Sequence, residues 1–406
     1  MTESSSRPRV IIIGGGLVGL GTAYALLQHA PHLQLTLLDK EAGFGRHQSS
    51  HNSGVLHAGL YYRPGSAKAR LAVQGLRSMT AFCARHDIPH EITGKLVVAV
   101  TAEELPRLQT LLERGMANGL KGLRLLSASE ALEIEPHVRC LQAVHVPEEG
   151  IVDFSGVVAA LCTAITALGG ELRASAGVTS LERRSDGWVV TASESILAAD
   201  FVVNCAGLQS DRVAALAGEV PPCRIVPFRG EYFELRESRR HLVRNLIYPV
   251  PDPAFPFLGV HFTRMIAGGI ECGPNAVLAT AREGYRRSQF SLRDTADAAS
   301  FPGLWRFVAG HPRMTAFELA RSFSRKMFAR SLQRLVPEIQ AADLIPGNAG
   351  VRAQAMRPDG TMVDDFLFLE RPDALHVLNA PSPAATASLA IGEEVAARVI
   401  ALLGSS

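Results

Sequence analysis

Two short apolar blocks and a helical stretch between them dominate the start of the chain. Residues 10–13 are four β-branched side chains in a row with glycines after them, which predicts a strand buried on both faces. Residues 17–28 continue as a helix, and 35–38 form a second apolar strand. Later, Ala69, Ala72, Val73, Leu76, Met79 and Phe82 recur at helical spacing, so 66–87 reads as an amphipathic helix. The pattern then predicts a strand at 94–101, a helix at 102–118, a strand at 145–152 and a helix at 155–168, with Asp153 or Ser155 as its cap. Alternating strands follow over 171–190, and 201–204 is a further apolar strand that runs into Cys205, Ala206 and Gly207.

From Pro227 the pattern changes: arginine, aromatics and proline increase, and helical periodicity fades until Thr315. Segments 229–235, 245–250 and 256–262 alternate as strands of an antiparallel sheet do. Residues 317–335 read as one basic amphipathic helix, with Phe301, Trp305 and Phe307 as exposed apolar side chains before it. Its two readings are a helix packed on its own protein and a helix resting on an anionic membrane. The end of the chain returns to the first pattern, with a strand at 376–379 and a helix starting near Pro383. The fold class expected is α/β, a discontinuous Rossmann-like domain plus a second domain of mixed or antiparallel sheet and helices. The expected boundaries are 1–92, 143–222 and 346–406 for the first domain, and 93–142 and 223–345 for the second.

The chemistry begins at the first turn. Gly14, Gly16 and Gly19 form G-x-G-x-x-G at the strand-to-helix junction. Gly14 makes the tight turn, Gly16 lets a pyrophosphate approach the backbone, and Gly19 lets helix pack on strand. Asp39 closes the second strand twenty residues after Gly19, where a carboxylate accepts two ribose hydroxyls and disfavours a 2′-phosphate. An adenine dinucleotide is expected, and these residues alone leave FAD and NAD open. The formal net charge of +2 over 406 residues gives no global attraction to nucleic acid. The first nine residues are polar and no apolar run reaches the eighteen needed for a spanning helix, so a cytoplasmic enzyme is expected, with peripheral contact at the inner membrane face as the second reading. Six cysteines without a C-x-x-C pair read as reduced thiols. His47, His51 and His57 lie among Ser and Gly that make no ligand-aligning helix, with no acidic partner in view, so no metal site is expected.

The segments HNSGVLHAGLYYRPGS, PFRGEYF, IYPVPDPAFPFLGVHFTR, GPNAV, GVRAQA and NAPSPAAT, in this order over nearly the whole chain, resemble the FAD-dependent L-2-hydroxyglutarate dehydrogenase (oxidase) family of the D-amino-acid-oxidase-like flavoproteins. The resemblance implies FAD, and oxidation of L-2-hydroxyglutarate to 2-oxoglutarate with electrons passed to quinone or oxygen. It implies that Gly14, Gly15, Gly16 and Gly19 hold the pyrophosphate, and Asp39, a glutamate in most of the family, the ribose, with Lys40 beside it. Ser53 and Gly54 would lie beside the isoalloxazine, Val178 would meet the adenine through its backbone, and Ala206 and Gly207 would line the pyrophosphate side. Pro383, Ala384, Ala385 and Thr386 would face the flavin pyrimidine edge, and Gly350 and Arg352 complete the cofactor set. Such a reaction needs a base that is neutral near pH 7; His57 is the first candidate and His261 the alternative. A dicarboxylate substrate needs cations and hydroxyl donors, for which Lys95, Arg229, Tyr232, Tyr248, Arg264 and Arg352 are candidates. The alternatives are another FAD oxidoreductase of the superfamily, acting on an amino acid or glycerol 3-phosphate, or a dinucleotide-binding protein without turnover.

Overall fold

A computed structural model describes residues 7–252 and 258–404 and divides the chain into two compact units. The first comprises residues 1–50, 154–226 and 353–406, and the second residues 51–153 and 227–352. Residues 51–92 and 143–153 therefore belong to the second unit, where the sequence pattern had put them in the first. The reason is local pairing: strand Val55–Leu56 and strand His90–Glu91 flank strand Gly150–Val152 in one small antiparallel sheet.

The first unit carries a six-stranded sheet in the order Leu367–Arg371, Ala374–Asn379, Phe201–Asn204, Arg9–Ile13, Gln34–Leu38, Glu171–Arg173. All neighbours are parallel except the first pair. Val10 and Ile12 are fully buried, as a central parallel strand requires. Arg9–Ile13 has Phe201–Asn204 on one side and Gln34–Leu38 on the other, both parallel to it, so the strand order switches sides there and its carboxyl end opens as a ligand crevice. A three-stranded antiparallel sheet, Val178–Arg184, Gly187–Ala192 and Ser195–Ala199, adds a strand beyond the expected 171–190 region.

Helices Leu17–His29 and Ala384–Leu403 pack against each other without side chains between them at two points. A Cβ on Gly392 would stand 2.4 Å from the Gly21 carbonyl, and one on Gly21 would stand 2.6 Å from the Ser388 oxygen. Both are backbone contacts that cannot rotate away.

The second unit is built on a nine-stranded mixed sheet in which Leu246–Pro249 runs parallel to Lys95–Ala99 and antiparallel to His261–Arg264. One face is apolar: Phe262, Cys272, Ile247 and Leu96 stand in adjacent registers and join a core with Phe328, Leu332 and Val336. Side chains alternate along a strand, so the intervening residues point to the opposite face. There Glu234, Glu271, Thr263, Leu246 and Lys95 form one row, and His261 and Tyr248 belong to the next.

Several expected elements are corrected. The single strand at 145–152 is two, Gln142–Val146 and Gly150–Val152, because Pro147 has no N–H to continue the ladder. Helical structure does not fade before Thr315; helices Leu292–Ala299, Pro302–Gly310 and Pro312–Phe323 occupy the region, each too short for its periodicity to stand out. The expected helix at 317–335 is broken at Ser324, whose hydroxyl accepts from the Met327 N–H and starts the separate helix Arg325–Leu332. Phe301 and Phe307 are buried, while Trp305 is exposed. Part of the expected 256–262 strand, residues 256 and 257, lies outside the described residues; the strand found is His261–Arg264.

Replacing Gly392 with alanine weighs a helix-propensity gain of up to ~1 kcal/mol against overpacking of ~1–3 kcal/mol on rigid backbone. The contact geometry makes overpacking the larger effect. Gly392→Ala is expected to lower the denaturant midpoint, and an unchanged or raised midpoint would show that the two helices separate freely.

Candidate active site

In the first unit the carboxyl ends of three parallel strands gather the glycine turn and its partners. The Gly14 N–H donates to the Leu38 oxygen at 2.8 Å and the Cys205 N–H to the Ile13 oxygen at 2.8 Å. Gly14 has φ +110°, and a Cβ there would meet the Cys205 oxygen at 2.5 Å; a Cβ on Gly19 would meet the Gly14 oxygen at 1.9 Å. These two glycines are demanded by backbone approach. Gly16 differs, since its Cβ would meet only the Ser49 hydroxyl, at 3.1 Å. It is also the N-cap of helix Leu17–His29 and offers no side-chain cap; the Ser49 hydroxyl accepts from the Leu17 N–H at 2.9 Å, and the positive end of that helix favours an anion. Asp39 is fixed by backbone donors, the Gly15 N–H at 2.7 Å and the Glu41 N–H at 2.8 Å. A carboxylate has room for further donors. These residues fit an adenine dinucleotide: an open turn for the pyrophosphate and a pre-oriented carboxylate for the ribose.

Ala206 and Gly207 follow strand Phe201–Asn204, and Gly177, before Val178, lies against the Lys40 side chain. Lys40 itself is exposed and paired with Glu41. Glu41 also stands 3.0 Å from His47, so that histidine has an acidic neighbour the sequence did not reveal. Pro383 caps helix Ala384–Leu403, which carries Ala384, Ala385 and Thr386 in its first turn. Ser53, Gly54, Gly350 and Arg352 belong to the second unit.

In the second unit the polar face of the large sheet carries a cluster that unites six sequence candidates with residues the sequence did not single out. Lys95 Nζ, fully buried, lies 2.6 Å from Glu149 Oε2. The same oxygen is 3.4 Å from His57 Nδ1, and Glu149 Oε1 accepts from the Ala58 N–H at 3.1 Å. Burial pushes the Glu149 carboxyl up, but Lys95 and His57 outweigh it and hold the group at about 2. Burial pulls the Lys95 ammonium down, and the same carboxylate opposes that. Lys95 also lies over two tyrosine rings, 4.7 Å from the centroid of Tyr61 and 4.9 Å from that of Tyr248. The Tyr248 and His261 rings meet edge-on at 3.9 Å. His261 Nδ1 lies 3.0 Å from the Gly259 carbonyl, so it carries the proton and Nε2 the lone pair. Burial pulls His261 down to about 3, and the charges of His57, Arg352 and Lys95 act in the same direction. Burial also raises the hydroxyls of Tyr61, Tyr232 and Tyr248, which keeps them as neutral donors. Arg352 is close enough to Tyr232 to lower it in part.

Arg229 and Arg264 are not part of this cluster. Arg229 Nε and Nη2 both donate to Glu231 Oε1, at 3.2 and 3.0 Å, in a network that also holds Arg287, Asn275 and Ser322. Arg264 forms a two-pronged pair with Glu91 at the surface. Glu149, Tyr61 and Glu271 are the members missed. Gly150 is the only local signal for Glu149: a Cβ there would stand 2.1 Å from the Glu91 oxygen, so a glycine next to an acidic pair marks a tight crossing.

A parallel sheet with this turn and carboxylate defines the dinucleotide-binding class. A family model described as FAD dependent oxidoreductase matches residues 9–398, and the chain belongs to that family, with FAD as its cofactor. It is 47% identical to the L-2-hydroxyglutarate dehydrogenase of Indibacter alkaliphilus, covering 95% of this chain and 97% of that protein. It is 43% identical to the Escherichia coli K12 enzyme of the same name, over 97% and 94% of the two chains. The fold is shared with an FAD-bound L-alpha-glycerophosphate oxidase from Mycoplasma pneumoniae, at TM-score 0.77 and 22% identity over 97% of this chain and 95% of that one. It is shared also with glycine oxidase from Geobacillus kaustophilus, at TM-score 0.72 and 21% identity, covering 97% and 95%.

Glu271 supplies a pH test of the polar face. It is buried, its Oε2 has no hydrogen-bond partner, and burial with Glu234 opposite raises it from 4.5 to about 8. A raised folded-state value means stability is fully present below pH 4.5 and declines until pH 8, beyond which the loss is constant. The total is roughly 3–5 kcal/mol. Glu271→Gln should flatten that decline in urea unfolding between pH 4.5 and 9, and an unchanged pH dependence would mean that the carboxyl is ionised in the folded protein.

Proposed function

We propose that this protein oxidises L-2-hydroxyglutarate to 2-oxoglutarate. The observation that carries the reading is the concentration of unfilled polar atoms on one face of the second unit's sheet. Among the described residues, the buried side-chain atoms Tyr61 Oη, Tyr248 Oη and Glu271 Oε2 have no hydrogen-bond partner, and they lie around the ion pair of Lys95 with Glu149. Each such atom costs ~1–3 kcal/mol, so a fold keeps several together where a polar ligand repays the loss. The relatives named for L-2-hydroxyglutarate support a hydroxy dicarboxylate as that ligand.

The oxidation removes the hydroxyl proton and a hydride from Cα. When bound, FAD supplies the two-electron acceptor for that hydride. His57 takes the hydroxyl proton, because the Glu149 carboxylate beside it is placed to compensate the charge gained, whereas burial and the cations Arg352 and Lys95 oppose protonation of His261. His261 Nε2 serves as a neutral acceptor that orients the substrate hydroxyl. The Lys95 charge is matched by Glu149, so carboxylate recognition falls to Arg352, with Tyr232 and Tyr248 as directional donors. Around the cofactor, Gly14, Gly15, Gly16, Gly19, Ala206 and Gly207 take the pyrophosphate, Asp39 and Lys40 the ribose, and Val178 the adenine. Ser53, Gly54, Gly350, Pro383, Ala384, Ala385 and Thr386 take the flavin ring.

No helix among the described residues is long and apolar enough to cross a membrane. Helices Leu292–Ala299 to Arg325–Leu332 nevertheless expose Phe290, Leu292, Trp305, Phe317, Leu319 and Phe323 on and around them. Between residues 286 and 330 every exposed charged side chain is Arg or Lys. This pairing of apolar side chains with positive charge supports peripheral docking on an anionic bilayer and a quinone as electron acceptor. Arg321 is excluded from the docking set, since it is buried and paired with Glu318 at 2.6 Å.

Anaerobic addition of L-2-hydroxyglutarate should bleach the flavin absorbance while the D-enantiomer leaves it oxidised; bleaching by both or neither overturns the substrate. His57→Gln is expected to slow bleaching by about 10²–10⁴-fold. Full speed in that variant, with loss in His261→Gln, would exchange the two roles. Vesicles rich in phosphatidylglycerol should co-sediment with the protein, and Trp305→Ser with Phe323→Ser should abolish this without slowing bleaching. Co-sedimentation that survives both changes removes this face as the docking surface.

A further inference from the structure

Glu149 does not reach the reacting atoms in the proposed reaction, yet it is the centre of the cluster. It is held in place from four directions by Lys95 Nζ at 2.6 Å, His57 Nδ1 at 3.4 Å, the Ala58 N–H at 3.1 Å and, through its own carbonyl, the Gly94 N–H at 2.8 Å. The residue after it, Gly150, and the donor to its carbonyl, Gly94, are glycines that cannot be changed cheaply. A Cβ on Gly150 would strike the Glu91 backbone, and Gly94 has φ +73°. The carboxylate is thus placed by backbone rather than by its own side-chain freedom.

We propose that Glu149 is the positioning residue for His57, and that Lys95 exists to keep Glu149 ionised in the interior. The inference rests on His57 being the base. Glu149 fixes the Nδ1–H tautomer of His57, which sets Nε2 as the proton-accepting atom, and it compensates the charge that the ring gains on accepting a proton. The 3.4 Å separation is longer than a formed hydrogen bond, as contacts of catalytic groups often are before substrate arrives. Lys95 is what makes that compensation possible, because burial without the ammonium would move the carboxyl toward its uncharged form, which compensates nothing.

The groups facing this pair are defined. Tyr61 and Tyr248 border Glu149 and both stay neutral. Tyr248 also faces His57, with ring centroids 6.2 Å apart, and His261 lies within range of the His57 charge. Arg352 acts on His261 from a further strand. Among these groups Glu149 is the negative one near neutral pH, and it is the charge placed to compensate a proton gained by the ring.

Two substitutions therefore move the pH profile in the same direction. Glu149→Gln removes the compensating charge: the acid limb of flavin reduction should move to lower pH and the plateau rate should fall by about 10²-fold. Lys95→Met takes away the ammonium that opposes the burial of Glu149, so the carboxyl shifts toward its uncharged form and the limb should move to lower pH with a fall in rate as well. Combining them removes both buried charges; stability should recover toward that of the parent while the rate stays low. A structural role for the pair would instead return rate and stability together in the double variant. Imidazole nitrogen NMR on the full chain reports the tautomer without turnover. The Nδ1–H form should dominate in the parent and be lost in Glu149→Gln. Unchanged tautomer and unchanged acid limb in Glu149→Gln, with His57→Gln still inactive, would overturn this inference alone. Full turnover in His57→Gln would overturn the assignment of the base on which it rests.

Discussion

Lys95 and Glu149 meet at 2.6 Å with almost no solvent on either side chain, and the chemistry available to the second unit depends on that contact. Taking two such groups out of water costs several kcal/mol each, and their attraction repays it only with good geometry and additional partners. Here the partners are the Ala58 N–H, the His57 ring and the two tyrosine faces over the ammonium. Removing one member strands the other, whereas an apolar pair of similar volume would be neutral or better for folding. Stability alone gives no reason to keep the pair, which points to what the carboxylate does for its neighbours.

The pair is possible because the sheet is two-faced in an unusual sense. Its apolar face is closed by helix Arg325–Leu332 and the segment after it, through Phe328, Leu332, Leu335 and Val336. That packing supplies the burial which fixes register for Lys95–Ala99, Leu246–Pro249 and His261–Arg264. Once register is fixed by one face, the period of two places Lys95, Tyr248, His261, Thr263 and Glu271 on the other without further choice. A slip by one residue would put the lysine and the glutamate into the apolar core. The hydrophobic face therefore specifies the polar one, and the polar groups need not be mutually stabilising to be held together.

This also explains what was legible in the sequence. The glycine turn and Asp39 could be read because every part lies within one βαβ segment, where spacing along the chain is spacing in space. Lys95, Tyr248 and His261 could be listed as candidates but not assembled, since their proximity arises from strand pairing across 153 and 166 residues of separation, 248 − 95 and 261 − 95. Arg229 and Arg264 were candidates by residue type, and their tertiary partners place them outside the cluster: Glu231 two positions along the same strand, and Glu91 from a distant one. Glu149 was hidden in a predicted strand that Pro147 divides. The helical structure between 292 and 316 was missed because helices of eight to twelve residues opening on Ser or Pro give too few turns for an amphipathic signal.

The charge balance of the cluster follows from these placements. Lys95 and Glu149 cancel, His261 is pulled down to about 3 and so is neutral, and the tyrosines keep their protons. Glu271, raised to about 8, is neutral near pH 7 as well. The face therefore presents many dipoles and little net charge, which suits a dianion better than a row of unmatched cations would. Such a row would repel itself when empty and hold the product as firmly as the substrate, since oxidation of a hydroxyl to a ketone leaves both carboxylates in place. Binding equally well before and after the chemical step does not accelerate it. What changes during the proposed reaction is one proton, gained by His57, and the one negative group placed to respond to that gain is Glu149. Discrimination between the two sides of the reaction can then reside in a single charge contact, while recognition of the carboxylates remains the task of neutral donors and Arg352.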